Sequence, residues 1–566
     1  MSCRILALAF GILSFLVWTP LQRAASLEPA AVSPTPAPAG PFHVSGNQIL
    51  DSKGRPFLIR GTQVAPFHPE TAAHDNRAGL DYGAHSATTL SAIRLRFNMN
   101  AVRIPLDLRE SAKPGYFPAL AEVVRRANQM DLLVILAAGE KDRSQDRLPS
   151  YAAYFKNYPN VIFETSFEPG AGDPVHAIRA AGAAQPVIVM DGISAALDDP
   201  NVIYEVSPRY LNLGTDADRD ANVGVLARTV PVLATGLDPE LNDAKECSAL
   251  PSDPTAASAL VEGNLNYFDA HSISWTVSSF VPGKLIRDFS LHDATSLENG
   301  WTCGQPDAVP AGIGRIIQAH MRGSVERELF VVSGAGGLDI ARGAFALAYG
   351  PVMAEHDATA LGNAPTKLGG ISIQVTDALG VTRPAGIFWA SEGWGQTNFV
   401  IPDGSAIGPA RMTIVRADGS KTSTNISIAD TAPGFVTGHS CRGPAIGAAI
   451  QMFADGRSSS SPISSCKGFD CHTIAIPVTA GATTRVRILG SGFRHATSAG
   501  AIEMRIGGVR VPVVSFGPSD SMGQDQVTIE IPSRLYGIGE TDLICHLNGR
   551  ISNATRIRIG KATPVS

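Results

Sequence analysis

One change of texture constrains the fold of this chain more than any other feature. From residue 42 to about 325, short apolar runs alternate with amphipathic stretches, and from Glu328 onward helical periodicity nearly vanishes. The segments AVRIPL (101–106), LLVILA (132–137), 161–164, 186–190 and 230–233 read as strands, while FPALAEVVRRANQM (117–130) carries apolar residues at helical spacing. Strands this apolar, separated by helices, belong to a parallel sheet covered on both faces. Repetition of that unit predicts a (β/α)8 barrel over 42–325. The remainder shows strand-like alternation every 8 to 12 residues or so between Gly, Asp, Asn and Pro turns, which is the pattern of β-sandwiches.

Composition and the first residues set the class and compartment. A hydrophobic fraction of 44% excludes global disorder. A net charge of -5 without any basic block gives nucleic acid no electrostatic footprint, so no nucleic-acid partner is expected. Arg4 precedes an apolar run, 5–18, that is shorter than the about 20 residues a spanning helix needs. With Ala24, Ala25 and Ser26 offering a cleavage site, 1–26 reads as a signal peptide, leaving no membrane span in the mature chain. An uncleaved anchor is the other reading of the same residues. The protein is expected outside the cell or in a bacterial periplasm, with 27–41 as an extended Pro/Ala linker.

Cys3 leaves with the signal, and the mature chain keeps Cys247, Cys303, Cys441, Cys466, Cys471 and Cys545. An even set in an oxidising compartment predicts disulfides. Cys247 with Cys303, Cys466 with Cys471 and Cys441 with Cys545 is the expected pairing, although the last four allow other connectivities. Cys466, Cys471 and His472 lack a second ligand pair at zinc spacing, so no metal and no cofactor is expected. SGAGGLD (333–339) has no Lys-Ser/Thr and reads as a turn, and GHSCR (438–442) lacks the second glycine of a nucleophile elbow.

The C-terminal half repeats itself. QTNFVIP (396–402) lines up with QVTIEIP (526–532), Gly408 with Gly539, and ARMTIVRADG ending at Gly419 with ETDLICHLNG ending at Gly549. Two copies of one sandwich module, 329–436 and 437–562, are expected, and the barrel and sandwich halves should fold separately. With the GG before ISIQV, APGF (432–435) and ADG (454–456), this region resembles the paired immunoglobulin-like modules at the C-terminus of large secreted acidobacterial proteins. That resemblance implies architecture and location, and no chemistry.

The barrel half is similar to glycoside hydrolase family 5, the cellulase family. The matching pieces are GNQILDSKGRPFLIRGTQ (46–63), FNMNAVRIPL (97–106), YAAYFKNYPNVIFETSFEPG (151–170), HAIRA before PVIVMDG, NVIYEVS, PVLATGLD and ISWTVSSFVPG, in family order. The resemblance implies an extracellular polysaccharide or oligosaccharide as partner, with cleavage by two carboxyl groups. It places Glu168 as general acid/base, Arg103 as the strand-two arginine and Trp275 as the upstream tryptophan of the strand-eight motif, a substrate contact. At the nucleophile position it places Gly236, with Asp238 and Glu240 as nearby surrogates. The family's strand-three His corresponds to Gly139, the Asn before the acid/base to Phe167, the strand-six His to Ser207 and the platform Trp to Ser278. The residues themselves allow plainer roles: Glu168 as an ion-pair partner of Arg103, Arg103 as a pin between strands, and Trp275 as core. The expected protein either hydrolyses or binds extracellular β-glycan, or is a catalytically inactive barrel serving as a carbohydrate-binding or cell-surface scaffold.

Overall fold

The computed structural model describes residues 34–70, 83–138, 147–166, 173–190, 199–207, 213–237, 254–277, 279–281, 285–286, 313–322, 329–335, 337, 339–350, 353–393, 395–439, 442–467 and 470–563. Eight parallel strands close into a barrel: β1 (Arg60–Gln63), β2 (Ala101–Leu106), β3 (Leu133–Ala138), β4 (Val161–Ser166), β5 (Val187–Met190), β6 (Val202–Val206), β7 (Val232–Thr235) and β8 (Ser274–Val277). β8 pairs back onto β1, with Trp275 opposite Arg60. Helices cover the outside. In α1 (Ala87–Leu95) the Ser86 hydroxyl accepts from the Thr89 N–H at the N-terminus. In α2 (Tyr116–Gln129) Leu120, Val123, Val124 and Ala127 form the buried stripe that helical spacing predicts.

Because side chains alternate along a strand, a barrel interior fills in layers drawn from alternate strands. The lower layer is apolar. Ala101, Ile162 and Ile203 on β2, β4 and β6 join Ile59, Leu133, Ile135, Ile188 and Leu233 in one cluster, closed from beneath by Phe42, Ile49 and Phe57 around a hairpin of His43–Ser45 and Gln48–Leu50. The described part of the segment before this hairpin, from residue 34, lies along the barrel. The Thr35 N–H donates to Asn98 Oδ1 at 2.9 Å, Arg94 donates to the Thr35 carbonyl at 2.9 Å, and the Gly40 N–H donates to Asn160 Oδ1 at 2.8 Å. The backbone polar groups of this strap find their partners on the barrel, which holds it there.

A β-rich region follows, with one core per repeat. In the first repeat the strand Thr382–Ser391 serves two partners: residues 382–385 pair with Ile371–Thr376 and residues 386–391 with Gln396–Val400, around a bulge between Ile387 and Trp389. The second repeat divides the same task. Val509–Val511 pairs with Ile502–Ile506 and Val513–Pro518 with Asp525–Glu530. Pro512, which has no N–H to give a ladder, stands at the break.

Cys466 and Cys471 form a disulfide across the hairpin of Ser464–Lys467 and Asp470–Thr473, with Cα atoms 4.1 Å apart. Cys545 is a free, buried thiol, which corrects the pairing with Cys441 expected for it. Its side chain points into the second sandwich core among Leu543, Leu547 and Ile557. Burial there raises its pKa. Cys247, Cys303 and Cys441 lie outside the described residues.

Candidate site at the barrel mouth

Two residues above the apolar layer, on the same alternate strands, stand Arg103, Glu164 and Glu205. Arg103 Nε donates to Glu164 Oε2 at 2.7 Å, its Nη2 donates to the other carboxylate oxygen, and its Nη1 donates to Gln63 at the end of β1. This is a two-pronged guanidinium–carboxylate contact, the strongest common form of charged hydrogen bond. Glu164 is only 1% exposed. Glu205 accepts from Thr235 Oγ1 at 2.6 Å, from the last residue of β7. Burial by itself lowers the Arg103 pKa, but the carboxylates of Glu164 and, further off, Glu205 outweigh it and carry the group above its ordinary value. Arg103 is therefore a fixed cation inside the barrel, and much of its donor capacity is spent on Glu164 and Gln63.

Arg103 on β2 is joined to Glu164 on β4, two strands away. Glu164 lies inside β4, and Glu168, with its expected roles, lies outside the described residues, beyond the end of β4 at Ser166. Asp238 and Glu240 likewise lie outside them, after the last described residue of that segment, Leu237. Gly236 is described, with φ +65°. L-residues avoid this left-handed conformation at a cost of about 1–2 kcal/mol. The backbone at the position that resemblance assigns to the nucleophile is thus shaped for glycine and disfavours glutamate.

Trp275 does not face the mouth, which corrects its reading as a substrate contact. On β8 it is Ser274 whose hydroxyl accepts from the Ile59 N–H; strand parity then sends Trp275 to the opposite face. It is 0% exposed between the sheet and the helices. Its indole N–H donates to Asp269 at 3.1 Å and Arg60 lies over its ring at 5.4 Å. Sequence reasoning passed over Glu164 and Glu205, although the signal was present: VIFETS and VIYEVS each place one carboxylate at the alternate position of an otherwise apolar strand.

Among the described residues no group of three or more His, Cys, Asp or Glu side chains is placed to hold a metal ion. Among them, too, no helix is long and apolar enough to cross a membrane.

Strand order and register define the N-terminal half as a closed (β/α)8-type barrel protein. No family model matches the sequence, and no curated protein does. Solved structures that align with it include a β-glucanase from Saccharophagus degradans, at 16% identity over 51% of this chain and 96% of that one, with TM-score 0.36. A mannanase catalytic domain from Streptomyces sp. SirexAA-E aligns at 14% identity over 56% and 98%, with TM-score 0.34. A Bacteroides ovatus GH5 xyloglucanase, in complex with a heptasaccharide, aligns at 13% identity over 44% and 74%, with TM-score 0.31. Likeness at this level carries no argument about activity, and the barrel assignment rests on the strand pairing itself.

Proposed function

We propose that this is a secreted, carbohydrate-directed barrel protein that binds extracellular β-glycan at the barrel mouth and does not cleave it by the retaining mechanism. The observation that carries this reading is the left-handed Gly236 at the position where the family-5 resemblance calls for a nucleophilic glutamate. Retaining cleavage needs two carboxyl groups about 5 to 5.5 Å apart, and a backbone turned this way does not readily present one of them. The Arg103–Glu164 contact adds support, because it gives the strand-two arginine a structural duty within the barrel. In this reading 1–26 is the exported signal, 42–325 the glycan-directed barrel, and 329–436 and 437–562 two immunoglobulin-like modules that carry it.

Glu168 is the proton donor that a hydrolytic reading would require, and it decides the test. Wild type and Glu168→Gln are compared on soluble β-glucan, mannan and xylan, with binding followed by affinity electrophoresis and cleavage by reducing-end release. Binding by both proteins without cleavage by either is expected. Wild-type cleavage abolished by Glu168→Gln, or by Asp238→Asn, would establish a working enzyme instead. Absence of both binding and cleavage would leave the barrel as a scaffold only.

A further inference from the structure

The two sandwich repeats differ where they meet the rest of the chain. In the first, the strand β9 (Gly408–Arg416) alternates cleanly: Ala410, Met412 and Ile414 enter the core and Arg411 is exposed. Its counterpart in the second, β10 (Gly539–Leu547), is buried on both faces. Leu543, Cys545 and Leu547 enter the sandwich core, whereas Ile544, with Ile551 and Ala554 from the following segment, belongs to the apolar cluster of the barrel and its helices.

Charge reinforces this contact. Asp542, on the same face of β10 as Ile544, is 2% exposed. Its carboxylate lies 3.5 Å from Arg126 Nε and 3.4 Å from Arg125 Nη2, both on α2, and 2.9 Å from Arg556 Nη1 of its own sheet. The other charges bordering it are Glu122 on α2, which pairs with Arg125, and Glu540, which pairs with Arg556. Burial raises the Asp542 pKa, but the three guanidinium groups more than offset it and hold the carboxyl below its ordinary range. Nearby, the Ala554 N–H donates to Ser91 Oγ on α1 at 3.0 Å. Removing one partner of such a buried charge cluster leaves the others uncompensated.

Topology fixes where on the barrel this contact lies. Arg125 and Arg126 are at the C-terminal end of α2, just before the chain turns into the start of β3. That is the end opposite the mouth, which is formed where the strands finish. The contact therefore leaves the mouth uncovered.

We propose that the second sandwich is a fixed pedestal, clasped to the lower wall of the barrel by Asp542 and the Ile544–Ile551–Ala554 patch, so that the two open as one cooperative unit with the mouth turned away. This replaces the separable halves that the sequence suggests, and it stands whether or not the mouth binds glycan.

Hydrogen exchange of the full-length chain in sub-denaturing urea tests it. Peptides of α2 and β10 should lose protection together, at one urea concentration. Asp542→Asn should lower protection in both by about tenfold or more, since it removes the charge from a buried set of charge-assisted hydrogen bonds, while β9 stays within about twofold of wild type. If that variant fails to fold, Arg125→Gln, whose side chain is 30% exposed, should show the same pattern at about threefold. Opening of α2 and β10 at different urea concentrations, or loss of protection confined to β10, would overturn the proposal.

Discussion

The lower and upper layers of the barrel interior are built on the same alternate strands and have opposite chemistry. Below, Ala101, Ile162 and Ile203 pack with other aliphatic residues and rest on a plug of Phe42, Ile49 and Phe57. Above, Arg103 and Glu164 satisfy one another, and Glu205 takes the hydroxyl of Thr235. The lower layer needs only volume and shape, so many aliphatic sequences would serve. The upper layer needs particular partners, because a buried charge without one is costly. The difference separates two ways of closing one barrel: the lower layer closes by shape alone, and the upper one by paired polar groups whose identities must match.

The largest effect should come from breaking the upper layer. Arg103→Met leaves Glu164 buried without the guanidinium that holds it, and should cost about 3–5 kcal/mol in urea unfolding of the full chain. A loss below about 1 kcal/mol would show that the layer is not locked by this contact. In the lower layer Ile162→Ala leaves a cavity and should cost about 3 kcal/mol, in the usual range for such truncations; a near-neutral result would mean the plug beneath is loosely packed. At the rim, Gly236→Ala should cost about 1–2 kcal/mol from its left-handed backbone alone. Gly236→Glu should destabilise at least as much and restore no cleavage. A stable Gly236→Glu variant that releases reducing ends would break the contrast between intact floor and lost chemistry.

The smallest effect should be that of acid on the plug. Hydrogen bonds from the Arg55 backbone, the Arg55 side chain and the Lys53 N–H hold the Asp51 carboxyl down at about 2. Because this folded value lies below the unfolded value near 4, the stabilisation is complete above about pH 4 and is lost as pH falls toward 2. Urea midpoints of wild type and Asp51→Asn should therefore differ most at pH 5 and converge by pH 2. A difference that stays constant with pH would mean that the Asp51 charge contributes nothing.

Much of the fold was legible in the sequence. Apolar runs such as LLVILA and AVRIPL name barrel strands outright, since a strand buried on both faces has little room for polar residues. The repeat was legible because QTNFVIP and QVTIEIP occupy corresponding strands. What was not legible depends on which face a residue takes. Trp275 sits on a strand near the mouth in sequence, yet parity turns it to the helices, and only the register of β8 on β1 decides that. Glu164 and Glu205 fall inside strands, and only closing the barrel brings Glu164 onto Arg103 two strands away. The docking of the second sandwich was visible only as Leu543, Ile544 and Cys545 in succession, an apolar run without the alternation of β9.

In the proposed function the barrel binds β-glycan and lacks the retaining nucleophile. The most direct test is product release from soluble β-glucan, mannan and xylan by purified wild type, measured alongside binding of the same polysaccharides. At least one polysaccharide should be retained in affinity electrophoresis, with no reducing ends above those of a Glu168→Gln control. Sustained cleavage by wild type that Asp238→Asn abolishes would show instead that Asp238 supplies the carboxylate that Gly236 lacks.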